Sequence, residues 1–446
     1  MARLFFYKIF GAFLLLVMMS PTAWAGEEPI RLSLKEALTM AKQRHVDVLV
    51  ASERVQQAIS KISQERSELY PHLSGAVSQT RQTVNLKSIG INPNIPGFNP
   101  NVPPFNVFDA RITLKQTLFD LAVLRRLSAA KTGQLLSNAE RQKAEEDAMA
   151  LVATMYLEAQ RADEAVAYAA ALRFRDEANL GLARSRKQLG LGSAFELTQA
   201  ESELAQSKHQ VDAAKADCEA KRLDLAAALG LPEDKQIIYT SHETLLKDPL
   251  PTEDEIKTRV SFHPDIEVAH QQVAVSQQDR RVEVAQYYPS ISASANYGPN
   301  GPHPGDVDDT YSYGGKLSIP IYEGGLRKAR VQEATSKVRE GKVQLTQTEK
   351  DKLLQALSAL ESLRQAFTGV SAAAADLAER AKNFSLTQHR LSTGLSAKLD
   401  VVIAQADLAQ AKDLNSEAIA TYRLAWVNLI HSMGNMGNWI EEMKEP

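Results

Sequence analysis

Cysteine is almost missing from this chain: Cys218 is the only one in 446 residues, so no intrachain disulfide can form. It lies in a helical pattern and is expected to be a small packed side chain. An excess of one charge is missing too. The 51 basic and 54 acidic residues are interspersed and leave a formal net charge of -3, which gives no electrostatic footprint for nucleic acid. Past residue 25 no run approaches ~18 consecutive apolar residues, which excludes a membrane-crossing helix and leaves a β-barrel open.

Catalytic constellations are also lacking. There is no nucleophile elbow, and Gly190-Leu191-Gly192 lacks the third glycine of a dinucleotide loop. The histidines show no metal spacing on one helix; His45 and His263 match because they occupy equivalent helix starts. Asp306, Asp308 and Asp309 fit no calcium loop and are expected in a solvated outer turn, and Met433 and Met436 are too few for a copper path. No enzyme activity, cofactor or metal is expected.

At the start, Arg3 and Lys8, the apolar run Ile9 to Met19 and Ala23-Trp24-Ala25 predict a secretory signal peptide over 1–25. Helical periodicity runs from Ser33 to Glu68 and stops before Pro71. Strands are predicted over 73–84 and 107–118, around a loop rich in Asn, Pro and Gly. Phe108, Ala110, Ile112 and Leu114 alternate with Asp109, Arg111, Thr113 and Lys115, so one face is apolar and the other wet. From Leu121 to Leu189 there is no proline, and glycine occurs only at 133 and 181. A helix of that length extends on the order of 100 Å. Gly190-Leu191-Gly192-Ser193 breaks it, and a returning helix runs to Leu229, before Gly230-Leu231-Pro232.

The programme then restarts. At an offset of 218, His45, Asp47 and Tyr70-Pro71 match His263, Asp265 and Tyr288-Pro289. Beyond the first strand pair the offset becomes 203 to 204, pairing Gly190 with Gly394, Glu196 with Asp400 and Gly230 with Gly434. The change places the extra residues in the first hairpin loop. Two copies, 26–230 and 255–434, are joined by a linker over 231–254 and followed by a tail over 435–446; the second copy has strands over 290–298 and 311–321. The fold class is therefore mainly α with a transmembrane β-barrel, built from a duplicated helix-strand-strand-helix-helix unit.

Four strands of about ten residues match an outer membrane crossing, but they cannot close, and open edges in lipid leave backbone groups unsatisfied. Three copies give twelve strands, continued by the long helices as a helical barrel, whereas two give eight with little lumen. A homotrimer is expected.

Tyr288-Pro289-Ser290-Ile291, Pro320-Ile321-Tyr322-Glu323-Gly324-Gly325 and the turns Gly190-Leu191-Gly192 and Gly394-Leu395-Ser396 carry a resemblance to the TolC family of outer membrane efflux proteins. It covers essentially the whole mature chain, although the first joint has Leu121-Ala122 where the second has Gly324-Gly325. The resemblance implies a passive channel in the outer membrane of a Gram-negative bacterium, in contact with its lipid and extending into the periplasm. It further implies docking on a periplasmic adaptor (membrane fusion) protein and an inner membrane pump of RND, ABC or MFS type, for tripartite efflux or type I secretion. A secreted coiled-coil scaffold or adhesin is the alternative, and it leaves the two strand pairs unexplained. Gly190, Leu191, Gly192, Ser193, Gly394, Leu395 and Ser396 are expected to form the adaptor-contact tip. Glu196 stands three residues after Ser193 as in a capping box, whereas Asp400 has Ala397 there and is expected to lack such a partner. By the family's pattern both belong to a pore gate, with Asp400 forming a ring of carboxylates in a trimer.

Overall fold

The computed structural model describes residues 30–91, 99–240 and 250–442, so the expected signal peptide lies outside the described residues. The chain runs β1 (Ile30–Leu32), α1 (Leu34–Arg44), α2 (Val46–Ser67), β2 (His72–Asn85), β3 (Asn101–Asp120), α3 (Leu121–Gln188), α4 (Ala194–Leu229) and β4 (Ile237–Tyr239). It continues with α5 (Glu253–Val260), α6 (Pro264–Ala285), β5 (Ser290–His303), β6 (Asp306–Ser318), α7 (Leu326–Ser392), α8 (Lys398–Ser432) and α9 (Met436–Glu442). Helix starts follow local chemistry. Ser33 with Glu36 and Thr252 with Glu255 form capping boxes, and His263 caps α6 ahead of Pro264.

Four strands form an antiparallel sheet in the order β2-β3-β5-β6, and β2 and β6 are its open edges. The helices keep that order. On the sheet side of α3, Arg126 meets Glu65 of α2 and Lys143 meets Asp265 of α6. Further along α3, Glu158 meets Lys221 of α4 and Arg161 meets Asp413 of α8. α7 packs on α6 and α8, so the arrangement is α2-α3-α6-α7 near the sheet and α4-α3-α8-α7 away from it. α3 is covered on both sides. Among the described residues, α7 is covered on one side only.

Where the linker elements cross the long helices, a belt forms the conventional core. β1 and β4 pair in parallel, and Leu32, Leu38, Met149, Tyr156, Leu229, Leu360, Tyr422 and Met436 are all buried there. The Tyr156 hydroxyl donates to the Leu32 carbonyl at 2.9 Å, and its ring meets Tyr239 edge to face at 5.3 Å. Glu146 accepts from the backbone N–H groups of Met436 (2.7 Å) and Gly437 (3.0 Å), which closes the start of α9. Burial pushes its carboxyl up, against these two hydrogen bonds.

Several boundaries differ from expectation. The first helix is two, because His45 takes an extended conformation (ψ 138°) and starts α2 by accepting from the Asp47 N–H at 3.3 Å. The strands run further into their hairpins than expected: β3 begins at Asn101 rather than 107, and β5 continues to His303 rather than 298. In the opposite sense, β6 stops at Ser318 rather than 321, just before Pro320, which has no N–H for the ladder.

Candidate functional site: a two-faced sheet and two helical turns

Register across the sheet puts like with like. Leu73 lies opposite Leu114, Ile112 opposite Tyr297, and Tyr297 opposite Tyr311. With Ile291, Tyr313 and Leu317 they make a continuous apolar face that is exposed throughout, up to 81% at Tyr313. A monomeric soluble protein rarely leaves such a face to water. The opposite face is polar. Arg111 donates to Asn296 Oδ1 (2.7 Å), Asp109 Oδ1 (3.1 Å) and Thr310 Oγ1 (3.3 Å), and Asn296 donates to Ser312 Oγ at 2.6 Å.

At the helix end of the sheet each strand carries an exposed aromatic: Tyr70 before β2, Phe119 in β3, Tyr288 before β5 and Tyr322 after β6. Such rings suit a lipid–water boundary. In the sequence Tyr70, Tyr288 and Tyr322 stand out only as marks of the repeat and of the resemblance; the signal for a boundary role is an aromatic recurring at every strand-to-helix joint.

The two joints into the long helices differ, as the Leu121-Ala122 and Gly324-Gly325 mismatch foretold. β3 runs straight into α3, and Asp120 caps the helix by accepting from Ala122 N (2.8 Å) and Val123 N (3.3 Å). After β6 the chain crosses 319–323 without regular structure and enters α7 through Gly324 and Gly325, both with positive φ (61° and 87°).

α3 has 68 residues and α7 has 67, so both turns lie about 100 Å from the sheet. The turns are closed alike. Gly190 and Gly394 take positive φ (74° and 76°), their N–H groups reach Lys187 O and Leu391 O, and those of Leu191 and Leu395 reach Arg186 O and Arg390 O, each at 2.8 Å for the leucines. The same closure at Gly230 leaves Leu231 half-buried against the belt, but Leu191 and Leu395 are 70% and 80% exposed. Gly192, Ser193 and Ser396 line the same two turns.

The capping expectation is corrected. Ser193 Oγ accepts from Glu196 N at 3.0 Å, but no hydrogen bond returns from the Glu196 carboxylate to the cap. Asp400, expected to have no partner, accepts from Ala397 N and Ser396 Oγ, both at 2.8 Å. Its oxygen therefore reaches one residue further back than the template allows for. The backbone donor first, and then the hydroxyl, hold its carboxyl below the usual carboxylate range.

Among the described residues no helix is long and apolar enough to cross a membrane, and no group of three or more His, Cys, Asp or Glu is placed to hold a metal ion. The exposed apolar sheet face above helices of this length suits contact with lipid. A family profile described as outer membrane efflux protein matches residues 37–231 and 260–435. The chain belongs to the outer membrane efflux protein family. Relatives include the pyoverdine export outer membrane protein OpmQ of Pseudomonas putida, 22% identical over 91% of this chain and 86% of that one, and the outer membrane efflux protein BepC of Brucella suis, 24% identical over 70% of each. The fold matches the CmeC outer membrane channel of Campylobacter jejuni with a TM-score of 0.74, at 18% identity over 92% of this chain and 88% of that one. It matches the MtrE outer membrane channel of Neisseria gonorrhoeae with a TM-score of 0.68, at 20% identity over 90% and 88%.

This efflux family member is an outer membrane channel of the TolC type, extending into the periplasm. Its sheet gives the membrane an apolar face, and its helices carry the paired turns away from it.

Proposed function

We propose that three copies close their sheets into one twelve-stranded barrel, with the helices continuing as a tube. The homotrimer acts as a passive duct without catalytic chemistry. One observation carries this reading: β2 and β6 are unpaired edges of a sheet whose other features suit lipid. An open edge in hydrocarbon costs several kcal/mol per unsatisfied group, so the edges need partners, and further copies of the chain supply them.

The tip turns at Gly190-Leu191-Gly192-Ser193 and Gly394-Leu395-Ser396 dock on a periplasmic adaptor, which couples the duct to an inner membrane pump of RND, ABC or MFS type for efflux or type I secretion. Support comes from Leu191 and Leu395, two large apolar side chains left in water at equivalent turns. Asp400 and Glu196 line the narrow end. The segments 26–230 and 255–434 are the two copies of the duplicated unit, joined through 231–254.

Native mass spectrometry in detergent together with single-channel recording tests this reading. A trimer with stable conductance is expected; a monomeric mass, or a trimer that does not conduct, overturns it.

A further inference from the structure

The duplication measures the seam that one chain leaves open. At an offset of 204, the fully buried Val152, Tyr156 and Ala159 of α3 correspond to the fully buried Ala356, Leu360 and Leu363 of α7. The same offset carries Leu225 and Leu229 of α4 onto Leu429 of α8 and Met433 at its C-terminal cap, again all buried. Within the chain α3 meets α8, and Arg423 Nη1 of α8 donates to Gln160 Oε1 of α3 at 3.3 Å. The corresponding positions on the uncovered faces are Arg364 on α7 and Glu219 on α4. Gln160 is buried and Arg423 half-buried, while both counterparts are exposed. A neutral acceptor facing a cation becomes a cation facing a carboxylate.

Each counterpart already has an ionic neighbour on its own helix. Arg222 donates to the two Glu219 oxygens at 2.9 and 2.6 Å and is itself pinned to the carbonyls of Glu233 and Lys235. Arg364 donates to Glu361 Oε1 at 2.6 Å. Bringing α7 to α4 as α3 meets α8 therefore lines up Arg222, Glu219, Arg364 and Glu361 with signs alternating. Isolated exposed pairs contribute little, whereas alternating networks contribute more.

Resting on the trimer reading, we propose that α7 of one copy docks on α4 of the next through an ion pair between Arg364 and Glu219. This charged seam alternates around the tube with the chain's own seam between α3 and α8. The partner is a second copy because only a repeat of this chain presents α4 to α7 in the geometry that α8 shows to α3.

The test replaces Cys218 by Ser, places cysteines at Glu219→Cys and Arg364→Cys, and treats the protein in detergent with a bis-maleimide long enough to span an arginine–glutamate pair. A ladder up to covalent trimer is expected. Alongside, Glu219→Arg and Arg364→Glu singly should each lower the temperature at which the trimer dissociates, and the double reversal should recover most of the loss. A chain that is trimeric by mass but gives no ladder, or additive losses in the double variant, overturns the seam. A monomeric wild-type mass overturns instead the trimer reading beneath it.

Discussion

Ser193 and Asp400 each supply one half of a capping box, at turns that occupy equivalent places in the two halves of the chain. Ser193 gives the hydroxyl that accepts from the third helical N–H, and Asp400 gives the carboxylate that reaches back to the cap. Neither turn has both. The residue at Asp400's counterpart, Glu196, leaves its carboxylate out of the cap.

Ser193→Ala should therefore cost about 1 kcal/mol of helix stability at the start of α4, in the usual range for a lost cap. Glu196→Gln should cost much less. Hydrogen exchange of the amides of Glu196 and Leu197 reports both, and equal deprotection in the two variants would refute the assignment.

The central seam of the sheet should be intolerant at one position. A Cβ on Gly298 would lie 2.0 Å from the Ala110 carbonyl oxygen and 2.7 Å from the Arg111 Cα, both backbone atoms that cannot step aside. Gly298→Ala should therefore separate β3 from β5 and abolish assembly in the outer membrane. Gly314→Ala, where nothing lies within 4 Å, should assemble as the wild type does. Heat-modifiable migration of membrane fractions on a semi-native gel distinguishes the two outcomes.

At the tip, replacing Leu191 and Leu395 together with aspartate should abolish export while leaving mass and membrane location unchanged. Both side chains are largely in water already, so the folded chain loses little apolar contact. Export measured in cells carrying the cognate adaptor and pump decides it: continued export would place the contact elsewhere.

The helix ends were legible because Gly190, Gly230, Gly394 and Gly434 recur at equal spacing, and each does end a helix with positive φ. Strand ends were less legible. The Asn-, Pro- and Gly-rich stretch argues against a strand before 107, yet β3 includes Pro103 and Pro104, because they fall at the bulge between the Phe105–Gln82 and Val102–Val84 pairs, where the ladder takes no N–H from them. The helix break at His45 was hidden by apolar periodicity that continues across it. Asp265, gripped by Lys143 at 2.5 Å and by Lys352, joins residues far apart in sequence and has no local signature. Burial alone would raise that carboxyl, and the two lysines hold it below the usual range.

His263 makes stability fall in acid. Its Nδ1 accepts from Asp265 N at 3.0 Å, so the ring proton sits on Nε2 and is donated to the His431 carbonyl at 3.2 Å. A second proton would face an N–H and break the cap. Burial first, and then Lys352, lower its pKa from 6.5 to about 4, with Asp265 opposing and the His431 ring adding to the decrease. Between those values the unfolded chain binds a proton that the folded chain refuses. Stability contributed by this group is therefore full above 6.5, is lost as pH drops towards 4, and amounts to on the order of 3 kcal/mol. Glu146, raised by burial, works in the opposite sense, so the difference between variants isolates the histidine. His263→Asn, which can still cap α6, should flatten the dependence in thermal unfolding followed by circular dichroism; an unchanged pH profile would remove His263 as its source.

For Asp400, cap and charge can be separated. An asparagine oxygen can still accept from Ala397 N and Ser396 Oγ, so Asp400→Asn should keep the turn closed while removing one negative charge per copy. In the proposed trimer that would delete a proposed ring of carboxylates at the narrow end, where close like charges favour cations and bind multivalent ones. Within one copy the two donors also keep the wild-type carboxyl ionised to lower pH than an ordinary aspartate. Planar-bilayer recordings of the variant should show weaker cation preference and weaker block by trivalent metal ions, whereas Glu196→Gln should change both less. Unchanged selectivity and block in Asp400→Asn, with the trimer intact by mass, would take this residue out of the pore and leave it only as the cap of α8.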